Sequence, residues 1–122
     1  MRFTQDSPSG THVIRAYGAG EFRIDDLVVR GGVIVSATMV LPEPQMRRVD
    51  DIGPAHVERI LALNPEVVLL GTGAVQQFPA PTLGAQFLAA GIGFEVMDSG
   101  AACRTFNVLV GEHRRAVAAL LP

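Results

Sequence analysis

The residues best equipped for chemistry in this 122-residue sequence fall in two short stretches. Gly71-Thr72-Gly73 follows an apolar run, and Asp98-Ser99 opens a segment that carries Cys103, Arg104 and Asn107. Glycines let backbone approach a ligand closely or adopt a left-handed conformation. Asp98 or Ser99 can cap a following helix, whose free N–H groups attract an anion. Arg104, in the early turns of that helix, can add a charge-assisted contact. Asn107 lies one turn beyond Cys103, on its face, where its amide orients a ligand or bonds backbone. The plainer reading of each is a turn glycine or a helix cap.

Other chemistries fail on spacing. Gly71-Thr72-Gly73-Ala74-Val75-Gln76 lacks the final glycine of a dinucleotide fingerprint, and neither Gly18-Ala19-Gly20 nor Gly91-Ile92-Gly93 completes one. All 10 basic residues are arginine, so a Walker lysine is absent. His12, His56, His113 and the single Cys103 show no metal-ligand spacing, and neither metal nor cofactor is expected. A Cys103–His113 nucleophile pair is opposed by geometry, since ten residues of continuous helix separate the side chains by about 15 Å and about 80°. His113 is instead expected in the core, on a stripe with Phe106, Leu109, Val110, Val117 and Leu120. Cys103 alone sits where a helix N-terminus and an arginine lower a thiol pKa, although a buried cysteine is more often inert packing. A redox cycle there would need an external thiol.

These residues need a scaffold, and composition supplies one. Apolar residues make up 48% of the chain and charged residues 18%, which favours a well-packed core in one domain. The net charge of −2, with scattered arginines, excludes the basic face of a nucleic-acid binder. No apolar run reaches the roughly 20 residues of a transmembrane helix. The first residues resemble neither a secretory signal nor an organelle presequence, so the expected location is cytoplasmic.

Residues 1–11 read as a flexible start and 12–122 as a single α/β domain. His12 to Tyr17 alternates apolar and polar residues, as a half-buried strand does. Gly18-Ala19-Gly20 turns the chain. Phe22 to Ile24 and Leu27 to Arg30 flank the turn residues Asp25-Asp26, and Val33 to Leu41 reads as a long strand ended by Pro42 and Pro44. This is an antiparallel meander. Pro54 then opens a helix bearing Val57, Ile60 and Leu61, which stops at Asn64 before Pro65. Val67 to Leu70 is a strand buried on both faces. Pro81 starts a second helix with Leu83, Phe87 and Leu88 inward, Ile92 to Met97 is a further strand, and a last helical region runs from Asp98 to Leu121. The second half is therefore α-β-α-β-α, and the fold class a mixed α/β sheet with packed helices. In such sheets ligands lie beyond the carboxyl ends of parallel strands, where both chemical stretches fall.

The segment Met97-Asp98-Ser99-Gly100-Ala101-Ala102-Cys103-Arg104-Thr105-Phe106-Asn107-Val108-Leu109, followed by Glu112, Arg114, Arg115, Val117 and Ala118 to Leu120, resembles a small family of uncharacterised α/β domains. That family includes mitochondrial complex I assembly factor 3 and an adipogenesis-associated cytoplasmic protein. Val68-Leu69-Leu70-Gly71-Thr72-Gly73 resembles its second signature, and the likeness spans roughly residues 12–121. It implies a compact fold without established catalysis, protein contacts as the mode of action of mitochondrial members, and a polar pocket carried by Gly71, Thr72, Gly73, Asp98, Cys103, Arg104 and Asn107. Phe106 stands where relatives often carry tyrosine. The resulting expectation is a non-enzymatic interaction or assembly module, with a protein partner or a second copy bound. The alternatives are binding or turnover of a small anionic ligand at the Gly71–Gly73 and Asp98–Asn107 site, and a thiol redox role for Cys103.

Overall fold

The computed structural model describes residues 10–122, so the flexible start expected for residues 1–11 lies almost wholly outside the described residues. The architecture is the expected mixed α/β type, divided between two sheets. β1 (Ile14–Gly18), β2 (Glu21–Ile24) and β3 (Leu27–Arg30) form a three-stranded antiparallel sheet. The chain then crosses at Gly31 to β4 (Gly32–Val35) and β5 (Val40–Glu43) of a second sheet.

The long strand expected over Val33 to Leu41 is thus two strands. Ser36 breaks it: its hydroxyl accepts the N–H groups of Thr38 and Met39, and its own N–H bonds Met39 O. Side-chain capture of nearby backbone outcompetes the ladder there. Pro42 does not end a strand but lies within β5, a sheet edge where a missing N–H costs nothing.

A 3₁₀ turn at Val49–Asp51 leads into α1 (Pro54–Leu61), and Asn64, with φ of 54°, stops the chain before Pro65. β6 (Val67–Thr72), α2 (Pro81–Ala89), β7 (Gly93–Met97) and α3 (Ser99–Gly111) follow in the expected order. Leu88, expected inward on α2, is exposed, and Leu83 and Phe87 carry the packing.

The largest correction concerns the last residues. α3 ends at Gly111, and β8 (Ala116–Leu121) runs up the middle of the five-stranded sheet, ordered β5-β4-β8-β6-β7. It pairs antiparallel with β4 and parallel with β6. His113, expected in the core, is an exposed turn residue with φ of 63°, because the helix it would have shared has already ended.

The larger sheet is covered on both faces. α3 and the three-stranded sheet pack on one face, with Phe22, Ile24, Ala102, Cys103 and Phe106 meeting Leu69, Ala118 and Leu120. α1 and α2 cover the other, with Val57, Ile60, Leu83 and Phe87 on Val68, Leu70 and Ala119. Alternate residues of β8 therefore enter opposite cores, which explains a wholly buried run.

Candidate functional site

β6 and β7 run parallel, and their carboxyl ends place Gly73 against the first turn of α3. The contact is tight and reciprocal. Ser99 N–H donates to Gly73 O at 2.8 Å, and Gly73 N–H donates to Ser99 Oγ at 2.8 Å. The same hydroxyl donates to Leu121 O at 2.6 Å, tying the end of β8 to both. Gly73 has φ of 95°, which favours glycine. Gly71 is required for another reason: a Cβ there would stand 2.9 Å from Ser99 Cα and 3.0 Å from Ala102 Cβ. It lets α3 sit directly on β6.

The remaining polar groups build the fold in the same way. Thr72 Oγ1 donates to Val75 O at 2.7 Å and accepts the Gln77 N–H, shaping the loop after β6. Asp98 caps α3, its Oδ1 accepting from Ala101 N–H at 2.8 Å. Asn107 grips the backbone of Ile14, accepting its N–H at 2.9 Å and donating to its carbonyl at 2.8 Å, so the carboxamide completes the outer edge of β1. Two of the unpaired donors of the α3 first turn, at Ser99 and Ala101, are thereby taken by the protein itself.

Arg104 and Cys103 diverge. Arg104 is exposed and donates to Tyr17 Oη at 2.6 Å, while Cys103 points into the core. Burial pushes the Cys103 thiol up to about 12; Arg104 pulls it back in part, and Asp98 raises it further. The lowering that a helix tip can produce does not occur, and the inert-packing reading fits, because desolvation of the thiolate outweighs the nearby guanidinium.

A cavity of about 370 Å³ opens where these elements meet, lined by residues 17–22, Gly73, Ala74, residues 98–100, Leu121 and Pro122. Of the sequence-expected residues it includes Gly73, Asp98 and Ser99; Gly71, Thr72, Cys103, Arg104 and Asn107 do not line it. The β1–β2 turn was not foreseen as part of it. Tyr17 packs over Gly100, where an added Cβ would stand 2.7 Å from the ring. The Gly18-Ala19-Gly20 run, all at positive φ, was the available signal of an unusual turn. Glu21 and Asp98 contribute two carboxylates to the cavity wall, with Glu21 paired to Arg30 at 2.7 Å. Among the described residues, no group of three or more His, Cys, Asp or Glu side chains is arranged to hold a metal ion.

Comparison with known proteins follows the same lines. A 13 kDa major membrane protein of Francisella tularensis is 36% identical over 101 residues, 82% of each chain. NADH dehydrogenase [ubiquinone] 1 alpha subcomplex assembly factor 3 of Danio rerio is 35% identical over 121 residues, 97% of this chain and 68% of that protein. The crystal structure of a Bordetella parapertussis protein superposes with a TM-score of 0.84 at 34% identity, covering 94% of this chain and 98% of that one. Residues 14–121 match the model of a family described as protein of unknown function (DUF498/DUF598). The chain belongs to that family.

Proposed function

We propose that this domain is a non-enzymatic interaction module that helps assemble a larger complex. The observation that carries the reading is the loop between β6 and α2, where Val75 and Phe78 are 60% and 78% exposed. An apolar pair so placed contributes nothing to the core and is suited to a partner surface. Two further facts support it. The polar side chains at the strand ends are engaged in holding turns, caps and edges, and the Danio rerio relative is an assembly factor by name. Co-purification from the native host, with cross-linking, should recover a stable partner or a self-assembly; consistent recovery of a lone monomer would sink the reading.

A cytoplasmic location is part of this proposal. Among the described residues no helix is long and apolar enough to cross a membrane, whereas the Francisella relative carries a membrane name. Cell fractionation separates the two: recovery in the washed membrane pellet would overturn the cytoplasmic assignment.

The cavity at the α3 tip favours a second reading, binding of a small ligand. An anion would meet the helix N-terminus but also Asp98 and Glu21 in the lining, so its hold depends on Arg104, which does not line the cavity, turning in from Tyr17 Oη at its rim. Thermal shift with phosphate and simple carboxylates tests this. A ligand at about 100 times its dissociation constant adds about 2.7 kcal/mol. The shift should vanish in Arg104→Ala and persist in Arg48→Ala, an exposed arginine that pairs with no residue of the cavity; no shift with any anion removes the reading.

A further inference from the structure

We infer that the outer edge of β7 accepts an extended segment of a partner protein as an added strand, with a basic side chain set beside Glu95. This rests on the interaction reading above and names the surface it would use.

β7 is the last strand of the larger sheet and pairs only with β6 among the described residues. In a parallel ladder, alternate residues turn their backbone groups to the same neighbour. Gly93 N–H bonds Glu66 O, so residues 93, 95 and 97 face β6 and Phe94 and Val96 face outward. Gln76 confirms the direction, its side-chain amide donating to Val96 O at 3.0 Å from outside the sheet. That contact also brings the loop carrying Val75 and Phe78 alongside this edge.

Two of the other edges are closed in different ways. Pro42 removes a donor from β5, and Asn107 occupies the backbone of Ile14 on β1. β3, at Leu27–Arg30, belongs to the smaller sheet and is one residue shorter than β7. β7 has no proline to remove a donor, and Glu95 is its one charged residue. Its outward Phe94 and Val96 N–H groups and Phe94 C=O, with Val96 O already held by Gln76, specify an extended backbone as occupant. Glu95, exposed at mid-strand, specifies the charge. A second copy paired about a two-fold axis through Glu95 would oppose two like charges, which is unfavourable.

Amide hydrogen exchange on the full chain tests the assignment. In the free protein the Phe94 and Val96 amides should exchange fast and the Glu95 amide slowly. A short blocked peptide of alternating Thr and Val with a central Lys, at about ten times its dissociation constant, should slow both outward amides about tenfold. The same peptide with a central Glu should not. Val96→Pro deletes an outward N–H while leaving the β6 ladder whole, and should abolish the effect; Val96→Ala keeps the N–H and should retain it.

Several results would overturn the proposal. These are prior protection of both amides, slowing indifferent to the central charge, no slowing by either peptide at millimolar concentration, or protection appearing at Val28 on β3 instead. Protection that rises with protein concentration alone would assign the edge to a second copy. If a host partner co-purifies equally with wild type and Val96→Pro, this edge is wrong and the interaction reading survives. If no partner and no self-assembly appears with either, the interaction reading itself fails.

Discussion

At the scale of single residues, most of the side chains that look chemical are spent on structure. Gly71 is the plainest case. Ala at that position would press a methyl group on Ser99 Cα and Ala102 Cβ, both held by helix backbone, and overpacking of this kind costs about 1–3 kcal/mol. Urea denaturation of Gly71→Ala should show the loss in midpoint without a change in slope. Asn107→Ala should cost about 2 kcal/mol, since Ile14 N–H and C=O both lose their partner in a half-buried position. Asn107→Asp should fall between wild type and Ala at low pH, where the protonated acid can both accept and donate, and lose more stability as pH rises, because the ionised carboxylate keeps the acceptor but has no donor for Ile14 O.

Cys103 gives a prediction with a definite sign. Its folded pKa of about 12 lies above the value of 9.0 for a free thiol. Below pH 9 both states hold the proton and the thiol's contribution to stability is fully present. Between about pH 9 and 12 the unfolded chain ionises first, so folding stability should fall as pH rises through that window. Alkylation should follow the same logic, far slower in the native chain at pH 8 than in urea. A native rate equal to the unfolded one would mean that the thiol is exposed and would reopen the redox reading.

At the scale of elements, what the sequence reveals depends on whether local pattern or long-range pairing decides. Asp98 as a cap, Pro81 at a helix start and Val67 to Leu70 as a doubly buried strand are local statements, and the structure agrees with each. β8 is different. Ala116-Val117-Ala118-Ala119-Leu120-Leu121 is alanine-rich and apolar throughout, and short apolar runs do not distinguish a buried strand from the end of a helix. Its neighbours β4 and β6 settle the matter, and they lie far away in sequence. The site was legible in part for the same reason. The approach of Gly73 to the α3 tip follows from consecutive parallel strands, whereas the contribution of Tyr17 depends on folding a separate sheet over α3. Because β8 is paired along both edges and buried on both faces, its amides should be among the slowest to exchange. Deleting residues 116–122 should abolish cooperative folding, visible as loss of the urea transition. A truncated chain with a retained transition would show that the strand is dispensable.

At the scale of the whole molecule, the question is whether two sheets make one cooperative unit. The three-stranded sheet is tied to the rest by Asn107 on Ile14, by Arg104 on Tyr17, and by His12, whose N–H bonds Ala37 O while its ring holds Asp25 at 2.6 Å. More decisive is the shared core, in which Phe22, Ile24 and Val29 of the small sheet pack in one cluster with Phe106, Leu69 and Leu120. Neither sheet can lose that cluster and keep a buried face. Phe106 is fully buried at its centre, so Phe106→Ala should cost about 3–5 kcal/mol. The chain has one tyrosine, Tyr17, and no tryptophan, so intrinsic fluorescence reports on the small sheet alone. Far-ultraviolet circular dichroism reports mainly on the helices. In a single cooperative unit the two signals trace one urea transition, in wild type and in Phe106→Ala alike. Should the tyrosine signal change at lower urea than the helical signal, the small sheet would be a separately melting flap, and the cavity beneath Tyr17 would open without unfolding the rest.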